Sequence, residues 1–143
     1  MPYPPEMVQP MKEELTQLGI KELISEAEVV EALEDNLGTT MLVINSVCGC
    51  AAGNARPAVK MALQNPNRPD KVVTVFAGQD LEATAKARSY ISGYPPSSPA
   101  IAFFRDQEVV MMLERKDIEG RTAQDVAYDL VSAFDKYCAV QPK

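Results

Sequence analysis

The sequence predicts a single α/β domain over residues 1–143, built on a mixed β-sheet with helices on both faces and an extra helix at the N-terminal end. Three observations lead there. Two β-branched apolar runs, 39–44 and 72–76, are separated by a segment of helical character, the pattern of a βαβ unit with a parallel core. Two further apolar runs, 100–104 and 108–113, flank Arg105-Asp106-Gln107 and read as an antiparallel hairpin. The 143 residues, 46% of them hydrophobic, suit one domain with its own core.

The elements follow in order. After a proline-rich start that wraps the surface, residues 6–18 read as a helix. Met7, Met11, Leu15 and Leu18 fall at helical spacing, and Gly19 follows its end. Residues 20–24 make a short stretch with room for a small strand. Ser25 with Glu28 fits a capping box for a helix over 26–36, ended by Gly38. The run 39–44 has the apolar continuity of a strand buried on both faces. Asn45 to Cys50 turn the chain into a helix over 51–63, which Asn65-Pro66-Asn67 closes. Residues 72–76 form a second buried strand, and Asp80 is placed to cap a helix over 81–91. Gly93 with Pro95, Pro96 and Pro99 marks an ordered loop before the hairpin. Thr122 with Asp125 opens a last helix reaching Cys138, with Val126, Leu130, Val131, Phe134 and Tyr137 as its apolar stripe.

Composition narrows the function. The net charge of −6 opposes binding to nucleic acid or anionic lipid, both of which need a basic surface. No apolar run reaches the roughly 18–20 residues that span a bilayer. The N-terminal residues lack a basic start and apolar stretch, so a cytoplasmic location is the expectation. The absence of histidine removes Cys–His dyads, Ser–His–Asp triads and histidine metal sites. Three cysteines in a reducing compartment point to redox or metal chemistry rather than a disulfide framework.

Cys48-Gly49-Cys50 sits between a buried strand and a helix start. A thiolate there faces unpaired backbone N–H groups and the positive end of the helix dipole. Both favour the charged form, so Cys48 should ionise below the free-thiol value of about 8.5. Cys48 lies nearer the turn and Cys50 within the first helical turn. Cys48 is therefore the predicted nucleophile and Cys50 the resolving thiol. With one residue between them, a Cys48–Cys50 disulfide closes a very small and strained ring, which Gly49 eases because it has no Cβ. The bland alternative is a pair of small core residues at a tight turn. Cys138 falls on the apolar stripe of the last helix and reads as a buried, inert thiol.

Two further features resemble thioredoxin-like proteins. Ser98-Pro99 stands just before a predicted strand, where such proteins place a cis-proline opposite their cysteines. The residue before that proline offers its backbone to an extended substrate. Pro57 lies inside the helix after the cysteines, as it often does in thioredoxins; the simpler alternative is a helix that starts late. The block Asn45-Ser46-Val47-Cys48-Gly49-Cys50-Ala51-Ala52-Gly53-Asn54-Ala55-Arg56-Pro57-Ala58 resembles the signature of the bacilliredoxin family. Tyr94-Pro95-Pro96-Ser97-Ser98-Pro99 and residues 103–105 resemble its second block. The resemblance covers essentially the whole chain. It implies a thioredoxin-like fold and a thiol–disulfide oxidoreductase that removes bacillithiol from S-bacillithiolated client proteins. Bacillithiol is then a thiol co-substrate, with no tightly bound cofactor. By position, Cys48 takes up the bacillithiol and Cys50 resolves the adduct. Asn54 and Arg56 either line the site or belong to a polar exposed helix face.

The sequence departs from ordinary thioredoxin. It has C-G-C in place of C-x-x-C, no carboxylate in the 41–44 strand, and no tryptophan before the cysteines. These departures speak against general protein-disulfide reduction. Two alternatives remain. One is a disulfide isomerase or general thiol reductase, since a strained disulfide exchanges readily. The other is a soft-metal carrier that uses Cys48 and Cys50 as thiolate ligands.

Overall fold

Strand β2 (Thr39–Asn45) is buried along all seven of its residues, and the rest of the fold is arranged to cover it. The computed structural model describes residues 2–34 and 37–138. The sheet has five strands. β3 (Lys71–Phe76) pairs parallel with β2 on one side and with the two-residue β1 (Lys21–Glu22) on the other. β4 (Ala100–Arg105) pairs antiparallel with β2, and β5 (Glu108–Leu113) antiparallel with β4, giving the order β1-β3-β2-β4-β5.

Strand alternation divides the core in two. Met41 and Val43 of β2 and Ile101 and Phe103 of β4 point to one face. There they meet α1 (Pro5–Thr16), α3 (Arg56–Ala62) and α6 (Ala123–Tyr137) through Leu15, Val59, Val126, Leu130 and Phe134. Leu42 and Ile44, with Ala102 and Phe104, point to the other. There α2 (Glu26–Leu33) and α4 (Leu81–Ser89) cover them through Val29, Leu33, Ala83 and Ala87. Each buried aliphatic side chain contributes roughly 1.5–3 kcal/mol, more than the ~1 kcal/mol span of β-propensity. Burial therefore fixes which face each strand residue takes.

The elements expected from the sequence are present, with instructive differences. Leu15 of the predicted stripe is buried and Leu18 packs on the same core, but Met7 is 44% exposed and Val8 beside it is buried instead. Ser25 accepts from the Glu28 amide as predicted, but the Glu28 carboxylate reaches back to the Ile24 N–H instead of completing the box on Ser25. Asp80 precedes α4 without capping it. Its carboxylate is drawn to Lys12 of α1, 2.8 Å away. α2 stops at Leu33, with Glu34 already extended; the predicted end at Asn36 lies outside the described residues. The hairpin turn is Asp106-Gln107, both with positive φ, so Arg105 belongs to the strand. α5 (Arg115–Ile118) was not predicted, because four residues are too few to show a helical period. No described helix is long and apolar enough to cross a membrane.

Candidate active site

The end of β2 is held rigidly before the chain reaches the cysteines. Asn45 is 2% exposed. Its amide donates to the Met11 carbonyl of α1, and its Oδ1 accepts from the Ser46 N–H and from Arg56 Nη1. Arg56 also donates to the Ser46 carbonyl and pairs through Nε with Glu14 at 3.0 Å. A guanidinium that is 3% exposed is tolerable only with such partners. The Ser46 hydroxyl then accepts from the Cys48 N–H at 3.3 Å.

Helical backbone begins at residue 49, passes through a π-helical turn (Ala51–Ala55) and continues as α3. Pro57 explains the wide turn. It has no N–H to give, and its ring would crowd the Gly53 carbonyl in a regular α-helix. The turn bonds instead from the Arg56 N–H to the Ala51 carbonyl, five residues back. Thus α3 proper starts late, at Arg56, with Pro57 in its first turn.

The two cysteines are free thiols, and their Sγ atoms lie 2.7 Å apart. The Cys48 thiol is held below the ordinary range, first by the hydrogen bond from the Cys50 thiol. The backbone N–H groups of Cys50, 3.4 Å away, and of Ala51 add to this, as does the charge of Arg115; burial opposes them. Cys50 is pushed the other way, first by burial and then by its thiol partner. The leading cause at Cys48 is therefore the neighbouring thiol, with the helix start second to it. The arrangement sets the more acidic thiol beside the less acidic one, so Cys48 ionises first, with the Cys50 thiol in contact as its hydrogen-bond donor.

Cys48 opens into a cavity of about 510 Å³. Tyr3, Arg88, Ser98 and Arg115 share its walls, and Cys50 does not reach it. Ser98–Pro99 is a cis peptide bond, as expected. Arg115, at the start of α5, is the residue whose role sequence reading missed. Its N–H is held by the Ser97 hydroxyl at 3.2 Å and its guanidinium by Glu119 at 3.3 Å. Glu114 and Asp117 cap that short helix reciprocally, and this pair was its one local signal. Arg88, from α4, donates to the Ser97 carbonyl at 3.0 Å.

The other predicted residues fall elsewhere. Asn54 donates to the Ile118 carbonyl at 3.0 Å and to that of Arg121. It thereby ties the helical turn after Cys50 to α5 and the loop behind it. Arg56 neither lines the Cys48 cavity nor sits on an exposed face; it is an internal strut beneath the strand end. Gly49 has open space where a Cβ would stand, so the reduced site does not require a glycine. Cys138 caps α6, half-buried, with its thiol pushed up by burial. It lies near Thr39, at the far end of β2 and roughly 20 Å along the strand from Cys48.

Comparison with known proteins gives the family and the fold. A family model described as disulphide isomerase matches residues 3–138. A bacilliredoxin of Salinibacter ruber is 59% identical over 140 residues, covering 96% of this chain and 82% of that protein. A bacilliredoxin of Koribacter versatilis is 51% identical over 136 residues, covering 95% of this chain and 94% of the relative. Among solved structures, the thioredoxin of Malassezia sympodialis superposes with a TM-score of 0.58 at 14% identity, covering 84% of this chain and 91% of its own. A Chlamydomonas reinhardtii thioredoxin gives 0.56 at 12%, covering 86% and 100%. Those two likenesses establish a thioredoxin fold.

Proposed function

From the premise that the chain belongs to the bacilliredoxin family, we propose that it is a thiol–disulfide oxidoreductase that removes bacillithiol from S-bacillithiolated client proteins in the cytoplasm. The observation that supports this most is the unequal thiol pair, with Cys48 lowered and facing the cavity and Cys50 raised and behind it. A thiolate at Cys48 attacks the bacillithiol sulfur of the client's mixed disulfide. The Cys48–bacillithiol bond forms, the client's S–S bond breaks, and the client thiolate leaves with the electron pair and takes up a proton. Cys50 then loses its proton and attacks the Cys48 sulfur. This releases bacillithiol as a thiol and leaves a Cys48–Cys50 disulfide for an external thiol reductant. The Ser98 backbone beside Cys48 would hold an extended client segment. Bacillithiol enters as co-substrate.

Incubation with a bacillithiolated client, followed by intact-mass measurement, tests this. The Cys50→Ala protein is expected to accumulate one bacillithiol adduct that Cys48→Ala abolishes. Full client release by Cys48→Ala would sink the proposal. The family model's description favours one second reading, disulfide isomerisation by the same pair. Faster turnover of scrambled disulfides than of bacillithiol adducts would select it. The soft-metal reading would rest on the Cys48 and Cys50 thiolates alone, since among the described residues no three His, Cys, Asp or Glu side chains are grouped to hold a metal ion.

A further inference from the structure

The cavity beside Cys48 carries a charge pattern of which attack by Cys48 uses only the Arg115 part. Two arginines, Arg88 and Arg115, line it, and none of its lining residues is acidic. This occurs in a chain whose net charge is −6. The two arginines differ. Arg115, with its side chain 44% exposed, pairs with Glu119 and acts on the Cys48 thiol through its charge. Arg88 is half-buried, and no carboxylate lies within ion-pairing distance of it among the described residues. One nitrogen, Nη1, is anchored on the Ser97 carbonyl, which leaves the remaining donors of a rigid, permanently charged fork. Burial weakens its hold on the proton relative to a free arginine, which is the mark of a cation without a counter-ion. Tyr3 also lines the cavity. Its N–H is held by Gln79 Oε1 at 2.8 Å, and its ring stands 3.2 Å from where a Cβ on Gly78 would be. At about 510 Å³ the space lies within the roughly 300–1,000 Å³ of small-molecule sites.

We propose that Arg88 is the specificity-determining residue of this cavity: it binds a carboxylate carried by the small thiol that is joined to Cys48 as a mixed disulfide. A guanidinium fork matches a carboxylate in geometry as well as charge. Half-burial makes the pairing stronger than a surface pair, because the charge is less screened. Neutral thiols lack the contact, and cationic thiols meet like charge. This rests on Cys48 as the thiol that carries the adduct, and the test separates the two.

The Cys50→Ala protein is equilibrated with pairs of small thiols and their disulfides. Exchange at Cys48 transfers one thiol for another, with no net oxidation. The probes are 3-mercaptopropionate, 2-mercaptoethanol and cysteamine. A short cysteine peptide, equilibrated in parallel, gives the preference that the thiols' intrinsic chemistry alone produces. Intact mass reads the ratio of adducts. The expected result is that the protein favours mercaptopropionate over mercaptoethanol about tenfold more than the cysteine peptide does, the scale of one charge-assisted hydrogen-bonded contact. Cysteamine should be disfavoured. Arg88→Gln should bring the ratio down to that of the peptide, and Arg88→Lys should restore part of it. In the Cys50→Ala protein with Arg88 retained, the preference should shrink as salt rises. A preference that survives Arg88→Gln, or that Arg115→Gln removes in its place, overturns the assignment, as does its absence with Arg88 retained. Because the adducts form directly from small thiols, failure of client release would not affect this measurement.

Discussion

Cys48 and Cys50 differ in acidity although one residue separates them, and the cause lies in which groups each sulfur meets. The Cys50 thiol and N–H and the Arg115 charge all favour a negative Cys48, while burial and that same negative neighbour disfavour one at Cys50. For an acid held below its ordinary value, the thiolate becomes the major form at a lower pH, and reactivity rises earlier on the alkaline side. Iodoacetamide labelling of Cys48 against pH should therefore show a midpoint below that of a cysteine peptide. In Cys50→Ala the midpoint should move up, since the leading cause is removed. In Arg115→Gln it should also move up, by less, with the gap between variant and parent closing at high salt. A Cys48 midpoint unmoved by either change would contradict the geometry described. At this scale the sequence exposed the pair and its order. Arg115 lies far along the chain from Cys48, and no spacing rule connects the two.

Elements show where local chemistry decided and where packing overrode it. The Asp106-Gln107 turn has positive φ at both positions, 49° and 77°, the conformation of the tight hairpin turn that favours Asn-Gly. Asp106 serves a second purpose: its carboxylate accepts from the Gly38 N–H at 2.7 Å, and its own N–H donates to the Gly38 carbonyl. Gly38 itself needs φ +88°, and a Cβ there would meet Asp70. Gln107 has no such task. Gln107→Gly is thus expected to stabilise the protein by about 0.5–1 kcal/mol, by relieving a left-handed conformation that an L side chain disfavours. Urea denaturation reads this as a higher midpoint at unchanged slope; a lower midpoint would show that the glycine's added chain entropy dominates. The Pro57 region teaches the same lesson differently. Proline announced a break in the helix over 51–63, but whether the backbone kinks, starts late or widens depends also on how α5 and the turn around Arg121 hold it through Asn54.

Over the whole molecule, Arg56 ties together three elements distant in sequence: Glu14 of α1, Asn45 at the end of β2, and its own α3. Arg56→Met would leave the Asn45 Oδ1 and Ser46 carbonyl short of a buried donor. We expect a loss of about 2–3 kcal/mol on denaturation, with little owed to the Glu14 pair, whose carboxylate is 49% exposed. A loss below about 0.5 kcal/mol, the ordinary range for surface substitutions, would show that water replaces these contacts. By itself the sequence determined the α/β order, the parallel core and terminal hairpin, the placement of the Cys48-Gly49-Cys50 turn, and the cis bond at Ser98-Pro99 that the resemblance implied. Those features are written in periodicity, β-branching and contiguous motif, all of which act over short stretches of chain. Only the tertiary structure decided that Arg56 is internal, that Asn54 braces a loop, that Asp80 serves Lys12, and that Arg88 and Arg115 stand beside Cys48. Each of those depends on which distant residue supplies a hydrogen bond or a charge, and chain closure sets that partner, not local preference.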